Sequence, residues 1–455
     1  MDYEKAAEEI LDPEVIHELE RATPAFHKDR FYSLDGGFAT TLQQSFGVAA
    51  DGDPLWSCRA LHTDPQAVIK AHVTFIEAGA NIITTNTYQG HPELFKKHIS
   101  DLANPDIDSH LLLEKAVKLA DEAIMRVTRV GRSLDLLVAG SVGPYGACLG
   151  DGSEYTGDYV NGSMSRETLK EWHLPRIKRL MFGQGVNIIA AETIPSYIEA
   201  LAILDAMAEI PGTRCWISFQ CRDESRTAKG ELIEDAFREL LNHPHALKIK
   251  AVGVNCVKPS IVTPLLKRLN TVNTWKEWPD NDFYEKIPYI VYPNLGEDWD
   301  SSKKIWKGNN EDIIRHVKEW MELGANVIGG CCKIGPDMIR RINEEITSNL
   351  YGVNKFRLKE SRDNKRPIDD WAYVEKKLKR PTHEELKQRM SAAKEFFRDA
   401  SEDGDASALI TAQLEAMMAN ANRDIYDAIK NMENRSVLDP TKDDDFSFLK
   451  EDESK

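Results

Sequence analysis

The sequence predicts an α/β fold, a (β/α)8 TIM barrel followed by a charged, mainly helical C-terminal appendage. Short β-branched runs alternate with longer amphipathic runs from Phe31 to about residue 348, which is the pattern of repeated strand–helix units. Eight such units in roughly 320 residues fit the usual size of this barrel. Glycines at the helix-to-strand joints, such as Gly79, Gly185 and Gly324, are typical left-handed helix terminators. A doubly wound open sheet shows the same alternation and stays the alternative.

The predicted strands and helices follow each other in regular order along the chain. The candidate strands span residues 31–35, 81–88, 136–142, 187–193, 215–221, 250–256, 288–294 and 325–331. The amphipathic segments span residues 65–79, 110–130, 165–184, 196–209, 231–242, 260–270, 310–323 and 336–348. We therefore predict an N-terminal helical extension over residues 1–30, a barrel over 31–348 and an appendage with a disordered end over 349–455.

Composition and charge narrow the class of protein. Of the 455 residues, 42% are hydrophobic, and the net charge of −16 argues against a nucleic-acid or membrane partner. The seven cysteines are an odd and sparse set, which indicates reduced thiols rather than a disulfide framework. The N-terminus has no apolar signal-peptide core, and no run is long enough to span a membrane. We expect a cytoplasmic protein.

The appendage has a different composition from the barrel. Charged residues make up 43 of the 105 residues from 351 to 455, against 29% for the whole chain, so this stretch cannot extend the barrel core. Two amphipathic helices are expected in it, the first opening with a capping box from Thr382 to Glu385. Their apolar stripes favour docking within the chain. A second copy of the chain, as in a homo-oligomer, and another protein are the alternative partners.

Two adjacent cysteines, Cys331 and Cys332, end the last predicted strand. Neighbouring side chains of a strand point to opposite faces, so both sulfurs reach one point only if the backbone turns, which Gly329 and Gly330 permit. Cys256 ends another predicted strand and supplies a third sulfur. Three protein ligands with one open position are typical of a zinc that takes part in chemistry. Buried apolar cysteines and a vicinal disulfide are the alternatives, and the pattern favours the metal.

The barrel hypothesis requires functional residues at the strand ends, because the active sites of this architecture lie on the face formed by the βα loops. The residues at these positions are Asp35-Gly36-Gly37, Thr87-Tyr88-Gln89, Gly140 to Pro144, Glu192-Thr193, Cys256, Asn294 to Glu297 and Cys331-Cys332. Polar and metal-binding side chains are therefore expected to meet at one mouth of the barrel.

Several motifs between residues 31 and 348 resemble one known family. They are Asp35-Gly36-Gly37, Ser141 to Ala147, Glu154-Tyr155-Thr156-Gly157-Asp158-Tyr159, Ala191-Glu192-Thr193, Val254-Asn255-Cys256, Tyr292-Pro293-Asn294 and Gly329-Gly330-Cys331-Cys332. Together they resemble the zinc-dependent homocysteine S-methyltransferases. The block from Glu154 to Tyr159 is similar to the branch that uses S-methylmethionine or S-adenosylmethionine rather than betaine, and Lys333-Ile334 is similar to fungal members.

The resemblance implies a (β/α)8 barrel, a Zn2+ ion on Cys256, Cys331 and Cys332, and methyl transfer to homocysteine to give methionine. Three thiolates leave the zinc site at a formal charge of −1, so a fourth, substrate thiolate stays nucleophilic. Its partner must carry an activated methyl group, and a sulfonium does. An in-line displacement depends on alignment, so no catalytic residue is expected beyond the zinc site.

An amino-acid substrate needs partners for its ammonium and carboxylate groups. Asp35 and Glu192 are the expected carboxylates, with a turn residue and a helix N-terminal acid as the respective alternatives. Gly36 and Gly37 are expected to offer N–H groups to the substrate carboxylate. The resemblance adds Asn255 to the substrate-binding set.

The segment from residue 140 to 162 contains seven glycines and is long for a connector, which is typical of a lid. Tyr145, Tyr155 and Tyr159 are expected to place aromatic faces against a sulfonium cation, and packing on the barrel is the alternative for each. With Ser141 they form the candidate donor-binding or lid residues. The resemblance places Tyr88 beside the zinc when no substrate is bound, and a barrel-rim residue is the alternative.

Two other functions stay open. The zinc chemistry does not choose between sulfur and selenium, so selenocysteine or another thiol is an alternative acceptor. A catalytically inactive zinc-binding barrel that serves as a scaffold is the other alternative, in which Cys148 is the candidate for a fourth, structural ligand.

Overall fold

The computed structural model describes residue 26 and residues 30–128, 136–160, 162–183, 185–210, 212–273, 286–296, 298–300 and 305–363. The two helices predicted after residue 380 and the helices predicted before residue 26 lie outside the described residues. None of the described helices combines the length and the apolar character that crossing a membrane requires.

Each of the eight predicted strands is present. They are Tyr32–Ser33 (β1), Ile82–Thr84 (β2), Leu137–Val142 (β3), Ile188–Ile194 (β4), Cys215–Phe219 (β5), Ile249–Asn255 (β6), Tyr289–Tyr292 (β7) and Ala325–Ile328 (β10). Two further strands that the sequence analysis did not predict, Asp298–Asp300 (β8) and Ile305–Lys307 (β9), pair as an antiparallel hairpin between β7 and β10.

The eight strands form a parallel sheet in the order β1-β10-β7-β6-β5-β4-β3-β2. The first and last strands of this order also meet, because Leu34 bridges to Ile82 in parallel register. The Asp35 N–H donates to the Ile82 carbonyl at 3.0 Å, and the Asn81 N–H donates to the Ser33 carbonyl at 2.7 Å. These bonds close the ring. The structure confirms the TIM barrel and excludes the open doubly wound sheet.

Helices surround the strands. They are Phe38–Phe46 (α1), Ala60–Thr63 (α2), Pro65–Glu77 (α3), Pro92–His98 (α4), Pro105–Thr128 (α5), Tyr145–Leu149 (α6), Arg166–Phe182 (α7), Tyr197–Ala208 (α8), Ile233–Leu241 (α9), Pro259–Leu269 (α10), Ile314–Glu322 (α11) and Pro336–Asp363 (α12). The eight predicted amphipathic segments correspond to α3, α5 and α7 to α12. The last helix runs to Asp363, well past the predicted end at residue 348.

Local sequence explains where the helices begin and where the strands follow. The Asp64 side chain accepts a hydrogen bond from the Ala67 N–H at the start of α3, and the Ser165 side chain accepts one from the Thr168 N–H at the start of α7. The predicted terminators Gly79, Gly185 and Gly324 all have positive φ angles. These residues therefore reverse the chain from helix to strand, as the sequence predicts.

The hydrophobic core has two layers. One fills the barrel interior and the other lies between the strands and the surrounding helices. The interior layer consists of Phe26, Tyr32, Leu34, Ile82, Ala139, Ile188, Ala190, Trp216, Ala251, Ile290, Tyr292 and Val327. Phe26 is fully buried, with its ring centroid 5.5 Å from that of Tyr32 and 6.4 Å from that of Trp216. At least one residue of the predicted N-terminal extension therefore belongs to the barrel core.

Candidate metal and substrate site

The structure brings Cys256, Cys331 and Cys332 together at the carboxyl ends of β6 and β10. Their three sulfur atoms all lie within 4.8 Å of one another. They form the one cluster of three or more potential metal-binding side chains in the described part of the chain. The three cysteines that the sequence predicts to form one site therefore lie together in the structure.

Two of the three distances between the sulfurs match those of a zinc site. A tetrahedral zinc with bonds of about 2.3 Å places its sulfur ligands roughly 3.8 Å apart. The Cys332 sulfur lies 3.9 Å from the Cys256 sulfur and 4.0 Å from the Cys331 sulfur. Cys256 and Cys331 are joined by a disulfide in this structure, so the metal-binding form requires the reduced pair. Three thiolates would leave the fourth coordination position open for a substrate.

The backbone turns sharply at the cysteines. Cys256 has a φ angle of 51° and Lys333, directly after Cys332, has a φ angle of 66°, both in the left-handed region. Thr193, next to Glu192 at the end of β4, also has a positive φ angle, of 59°. Non-glycine residues in this region cost of order 1–3 kcal/mol each and cluster at functional sites. The strained positions therefore mark the strand ends that carry the site.

Four glycines allow two loops to cross in close contact beside the cysteines. A Cβ atom on Gly329 would lie 2.6 Å from the Leu34 Cβ, and one on Gly37 would lie 2.8 Å from the Cys331 carbonyl oxygen. A Cβ on Gly36 would overlap the Ile334 carbonyl, and one on Gly330 would overlap the Ile334 side chain. The loop after β1 thus packs directly on the loop that carries Cys331 and Cys332.

This packing corrects the role predicted for Gly37. Its N–H donates to the Ile334 carbonyl at 2.8 Å, so it is already occupied and does not bind a substrate carboxylate. Gly36 makes the same close approach to Ile334. The glycine pair supports the cysteine loop through tertiary packing.

Asp35 and Glu192 stand at strand ends at the mouth of the barrel and interact with each other electrostatically. The Thr84 N–H donates to Asp35 Oδ2 at 2.7 Å, and the Ser141 hydroxyl donates to Glu192. Burial raises the pKa of Asp35 well above its usual range against the effect of these Thr84 bonds, and the charge of Glu192 raises it further. Burial also raises the pKa of Glu192 to about 7. Two carboxyl groups held in this way favour a positively charged ligand.

Asn255 holds two strand ends together. Its Oδ1 accepts hydrogen bonds from the Thr193 N–H at 2.7 Å and the Ser218 hydroxyl at 2.9 Å, and its Nδ2 donates to Thr193 Oγ1 at 2.8 Å. These bonds fix the end of β4, which carries Glu192, relative to the end of β6, which Cys256 directly follows. Asn255 therefore acts in positioning, whereas the sequence analysis assigned it to substrate binding.

Tyr88 and Tyr155 lie close together at the mouth of the barrel, and Tyr155 lies near the Cys332 sulfur. Burial raises the pKa of Tyr155 well above its usual range, and Cys332 contributes to that rise. Burial raises the pKa of Tyr88 too, with Glu154 and Tyr155 adding to the effect. The Trp56 ring meets the Tyr88 ring edge-on at 5.7 Å. The donor contact predicted for Tyr155 and the resting-state zinc contact predicted for Tyr88 stay predictions.

Tyr145 and Tyr159 pack in a different environment. Tyr159 is buried and its hydroxyl donates to Glu199 Oε2 at 2.5 Å, and its ring lies 5.3 Å from that of Tyr145. The Tyr145 ring lies 5.1 Å from that of Trp172. His173 Nε2 lies 3.0 Å from Glu199 Oε1 in the same network. These contacts fix the start and end of the long β3–α7 loop on α7 and α8.

Cys148, the candidate for a fourth ligand, does not join the three sulfurs. Its sulfur lies 3.9 Å from the Gln89 carbonyl oxygen. Burial raises the pKa of its thiol to about 11, partly offset by the charge of Arg176. The metal cluster in the described residues therefore has three cysteines and no fourth.

Several residues of the site were missed by the sequence analysis. Tyr292 accepts a hydrogen bond from Trp216 Nε1 at 3.0 Å, lies 2.6 Å from Ser218 Oγ and also hydrogen-bonds Glu192. Thr84 holds Asp35, and Glu154 lies near Tyr88 and Tyr155. Tyr292 and Glu154 belong to two of the motifs that resemble the family. Membership in these motifs was the one sign in the sequence that they could be part of the site.

Comparison with known proteins agrees with the arrangement. The family model described as homocysteine S-methyltransferase matches residues 33–346. A betaine-homocysteine S-methyltransferase from Drosophila melanogaster is 37% identical over 320 residues, covering 68% of this chain and 92% of the relative. A selenocysteine Se-methyltransferase from Brassica oleracea is 35% identical over 336 residues, covering 69% of this chain and 88% of the relative.

Solved structures that resemble this chain are also those of a homocysteine methyltransferase. The metallated form of the homocysteine methyltransferase MmuM from Escherichia coli has a TM-score of 0.58 and 31% identity, covering 69% of this chain and 96% of that protein. Its oxidised form has a TM-score of 0.57. The family match covers most of the barrel and all three clustered cysteines. The chain therefore belongs to the homocysteine S-methyltransferase family of enzymes.

Proposed function

We propose that this enzyme transfers a methyl group from a sulfonium donor, S-methylmethionine or S-adenosylmethionine, to the thiol of homocysteine, with zinc as its cofactor. The observation that carries the proposal is the three-sulfur cluster, in which the distances from Cys332 to the other two sulfurs match a zinc site and three cysteines would leave one coordination position free. When bound, the zinc would lower the pKa of the substrate thiol and hold it as a thiolate.

The transfer balances without a redox partner. A lone pair of the homocysteine sulfur forms the new bond to the methyl carbon, and the bond from that carbon to the sulfonium sulfur breaks. The electron pair of the broken bond stays on the donor sulfur, which becomes a neutral thioether. Homocysteine becomes methionine, and its thiol proton is lost before the attack.

The chain's own residues would bind and orient the two substrates. Asp35 and Glu192 would accept the ammonium group of homocysteine, since both stand at strand ends at the mouth of the barrel and interact with each other, and Glu192 lies near Cys332. Ser141 and Tyr292 fix Glu192 by hydrogen bonds. Alignment of the two sulfurs with the methyl carbon would then supply most of the rate enhancement.

The identity of the acceptor and of the donor is part of the proposal. Relatives carry both homocysteine and selenocysteine in their names, and one of them carries betaine. Selenocysteine is therefore the second candidate acceptor. The anionic groups near Cys332, Asp51, Glu154 and Glu192, favour a positively charged donor, and the resemblance of the block from Glu154 to Tyr159 to the sulfonium-using branch favours a sulfonium. We propose a cytoplasmic location with these small molecules as the ligands.

The test replaces one cysteine of the three-sulfur cluster. Cys331→Ser should fold and lose both bound zinc and methyl transfer, because the serine hydroxyl is a poor zinc ligand at neutral pH. Cys148→Ser is the matched control, since Cys148 lies outside the cluster, and it should keep both. Zinc is measured by atomic emission and methionine by chromatography. Methyl transfer by Cys331→Ser at the wild-type rate would contradict the proposed metal site.

A further inference from the structure

One carboxylate at the mouth of the barrel has an oxygen atom without a hydrogen-bond partner. Glu154 lies in the 3-10 turn Ser153–Tyr155, within the long loop between β3 and α7. Its Oε2 atom is buried and makes no hydrogen bond in this structure. A buried polar atom without a partner costs about 1–3 kcal/mol, and more when it is charged. An unpaired carboxylate oxygen in such a place is typical of a ligand site.

The turn that carries Glu154 is held firmly. A Cβ atom on Gly146 would lie 2.7 Å from the Glu154 nitrogen and 2.8 Å from the Ser153 carbonyl carbon. Gly157 N–H donates to the Ser153 carbonyl at 2.7 Å. The backbone of the turn is therefore packed against Gly146 and bonded to Gly157, which fixes the position from which the Glu154 side chain extends.

Glu154 lies among residues of the proposed methyl-transfer site. Its charge contributes to the raised pKa values of Tyr88, Tyr155 and Cys332, so the carboxylate lies near two phenols and one clustered sulfur. Burial raises the pKa of Glu154 itself to about 7, and Asp151 is the one other carboxylate that contributes. Asp35 and Glu192, by contrast, interact with each other. The mouth thus has a carboxyl pair, Asp35 and Glu192, and a separate carboxylate, Glu154, and the charges of Glu192 and Glu154 both act on Cys332.

Two carboxylate sites match the chemistry of a reaction between two amino acids. In an in-line displacement the attacking and leaving sulfurs lie on opposite sides of the methyl carbon, so the two amino-acid portions extend in different directions. Each portion carries an α-ammonium group that needs an acceptor when it is taken out of water. Asp35 and Glu192 would bind the ammonium group of homocysteine. Glu154 is then the carboxylate left to bind the ammonium group of the methyl donor.

We propose that Glu154 accepts N–H hydrogen bonds from the α-ammonium group of the methyl donor and so selects amino-acid sulfonium compounds. The inference rests on the proposed function and extends it to donor recognition. A sulfonium centre has no N–H group, so it cannot satisfy the unpaired Oε2 atom, whereas an ammonium can. Betaine, a quaternary ammonium without N–H, cannot satisfy it either.

The experiment compares two donors on the zinc-loaded full chain with homocysteine as acceptor. One is S-methylmethionine, and the other is 4-(dimethylsulfonio)butanoate, which has the same sulfonium, chain and carboxylate but lacks the amino group. The wild type should use the second donor with a kcat/KM about 10 to 100 times lower, as expected for the loss of a charged hydrogen bond. Equal kcat/KM values for the two donors would overturn the inference.

The variant Glu154→Gln identifies the residue responsible. It should raise KM for S-methylmethionine about tenfold or more, leave KM for homocysteine and the zinc content unchanged, and lose the preference between the two donors. Asp158→Asn is the matched control, because it removes the same charge from an exposed side chain of the same loop, 3.9 Å from the Lys229 ammonium. It should behave as the wild type.

The outcomes separate the inference from the proposed function. If the wild type is active and Glu154→Gln keeps the wild-type KM for S-methylmethionine, the inference is wrong and the proposed function stands. If the zinc-loaded wild type transfers no methyl group from S-methylmethionine or S-adenosylmethionine, the proposed function fails, and the inference fails with it.

Discussion

At the scale of single residues, the site depends on carboxyl groups held away from water by precise partners. Glu192 shows this arrangement: the Ser141 hydroxyl and Tyr292 hydrogen-bond to it, and Asn255 fixes the strand end beside it through Thr193. The sequence predicted Glu192 because it stands at a strand end. It could not predict Tyr292 or Thr84 as partners, since these contacts join strands that are far apart in the chain.

The role of Glu192 can be measured through homocysteine binding. Glu192→Gln keeps the shape and removes the charge, so KM for homocysteine should rise about tenfold or more while zinc content is retained. Glu209→Gln, at an exposed carboxylate paired with Lys170, is the matched control and should leave KM unchanged. An unchanged KM in Glu192→Gln would remove this residue from the homocysteine site.

His72 links a single buried residue to the stability of the protein. Its side chain is fully buried against Phe38, at a ring distance of 4.6 Å, and neither ring nitrogen has a hydrogen-bond partner in this structure. Burial lowers its pKa from 6.5 to about 3. The folded state therefore keeps His72 neutral, whereas the unfolded state takes up a proton below pH 6.5. Stability is lost as the pH falls through that value.

We expect His72→Leu to reduce this acid sensitivity. Between pH 7 and pH 5 the wild type should lose about 2 kcal/mol through His72, and the variant should not lose this share. Urea unfolding at both pH values measures the difference. His245→Gln, at an exposed histidine, should show the wild-type loss. A variant of His72 with the full wild-type loss would show that this residue is not responsible.

At the scale of elements, the loops after β1 and β10 carry the site as one unit. The sequence predicted all eight strands because each strand–helix unit has its own local apolar pattern and glycine terminator. It assigned Gly37 to substrate binding, whereas the N–H of Gly37 bonds to Ile334, because the crossing of the two loops is a tertiary contact with no local signal. The β8–β9 hairpin was missed because it lies between β7 and α11 as an addition to the strand–helix repeat, and the repeat was the signal that predicted the strands.

The packing of the two loops predicts a strong effect at Gly330. Gly330→Ala would force its Cβ into the fully buried Ile334 side chain, so the cysteine loop must move. We expect a loss of about 1–3 kcal/mol in stability and of most bound zinc. Gly335→Ala is the matched control in the same loop, because no atom lies within 4 Å of its Cβ position. Full zinc binding by Gly330→Ala would contradict the proposed packing.

At the scale of the whole molecule, the barrel explains why distant cysteines meet. Cys256 and Cys331 are 75 residues apart, yet both follow parallel strands whose carboxyl ends open on the same face. The predicted boundary at residue 348 stays a prediction, and α12 crosses it and ends at Asp363. The residues of the appendage from 364 onward lie outside the described part of the chain, so its predicted docking stays a prediction as well.

The central claim is methyl transfer to homocysteine at a three-cysteine zinc site. The most direct measurement is methionine formation by the full chain, zinc-loaded or zinc-free, with S-methylmethionine, S-adenosylmethionine and betaine supplied separately. We predict about one zinc per chain, turnover with at least one of the two sulfonium donors, and no turnover without zinc. Bound zinc with no turnover on either sulfonium donor, or equal turnover by the zinc-free protein, would contradict this account.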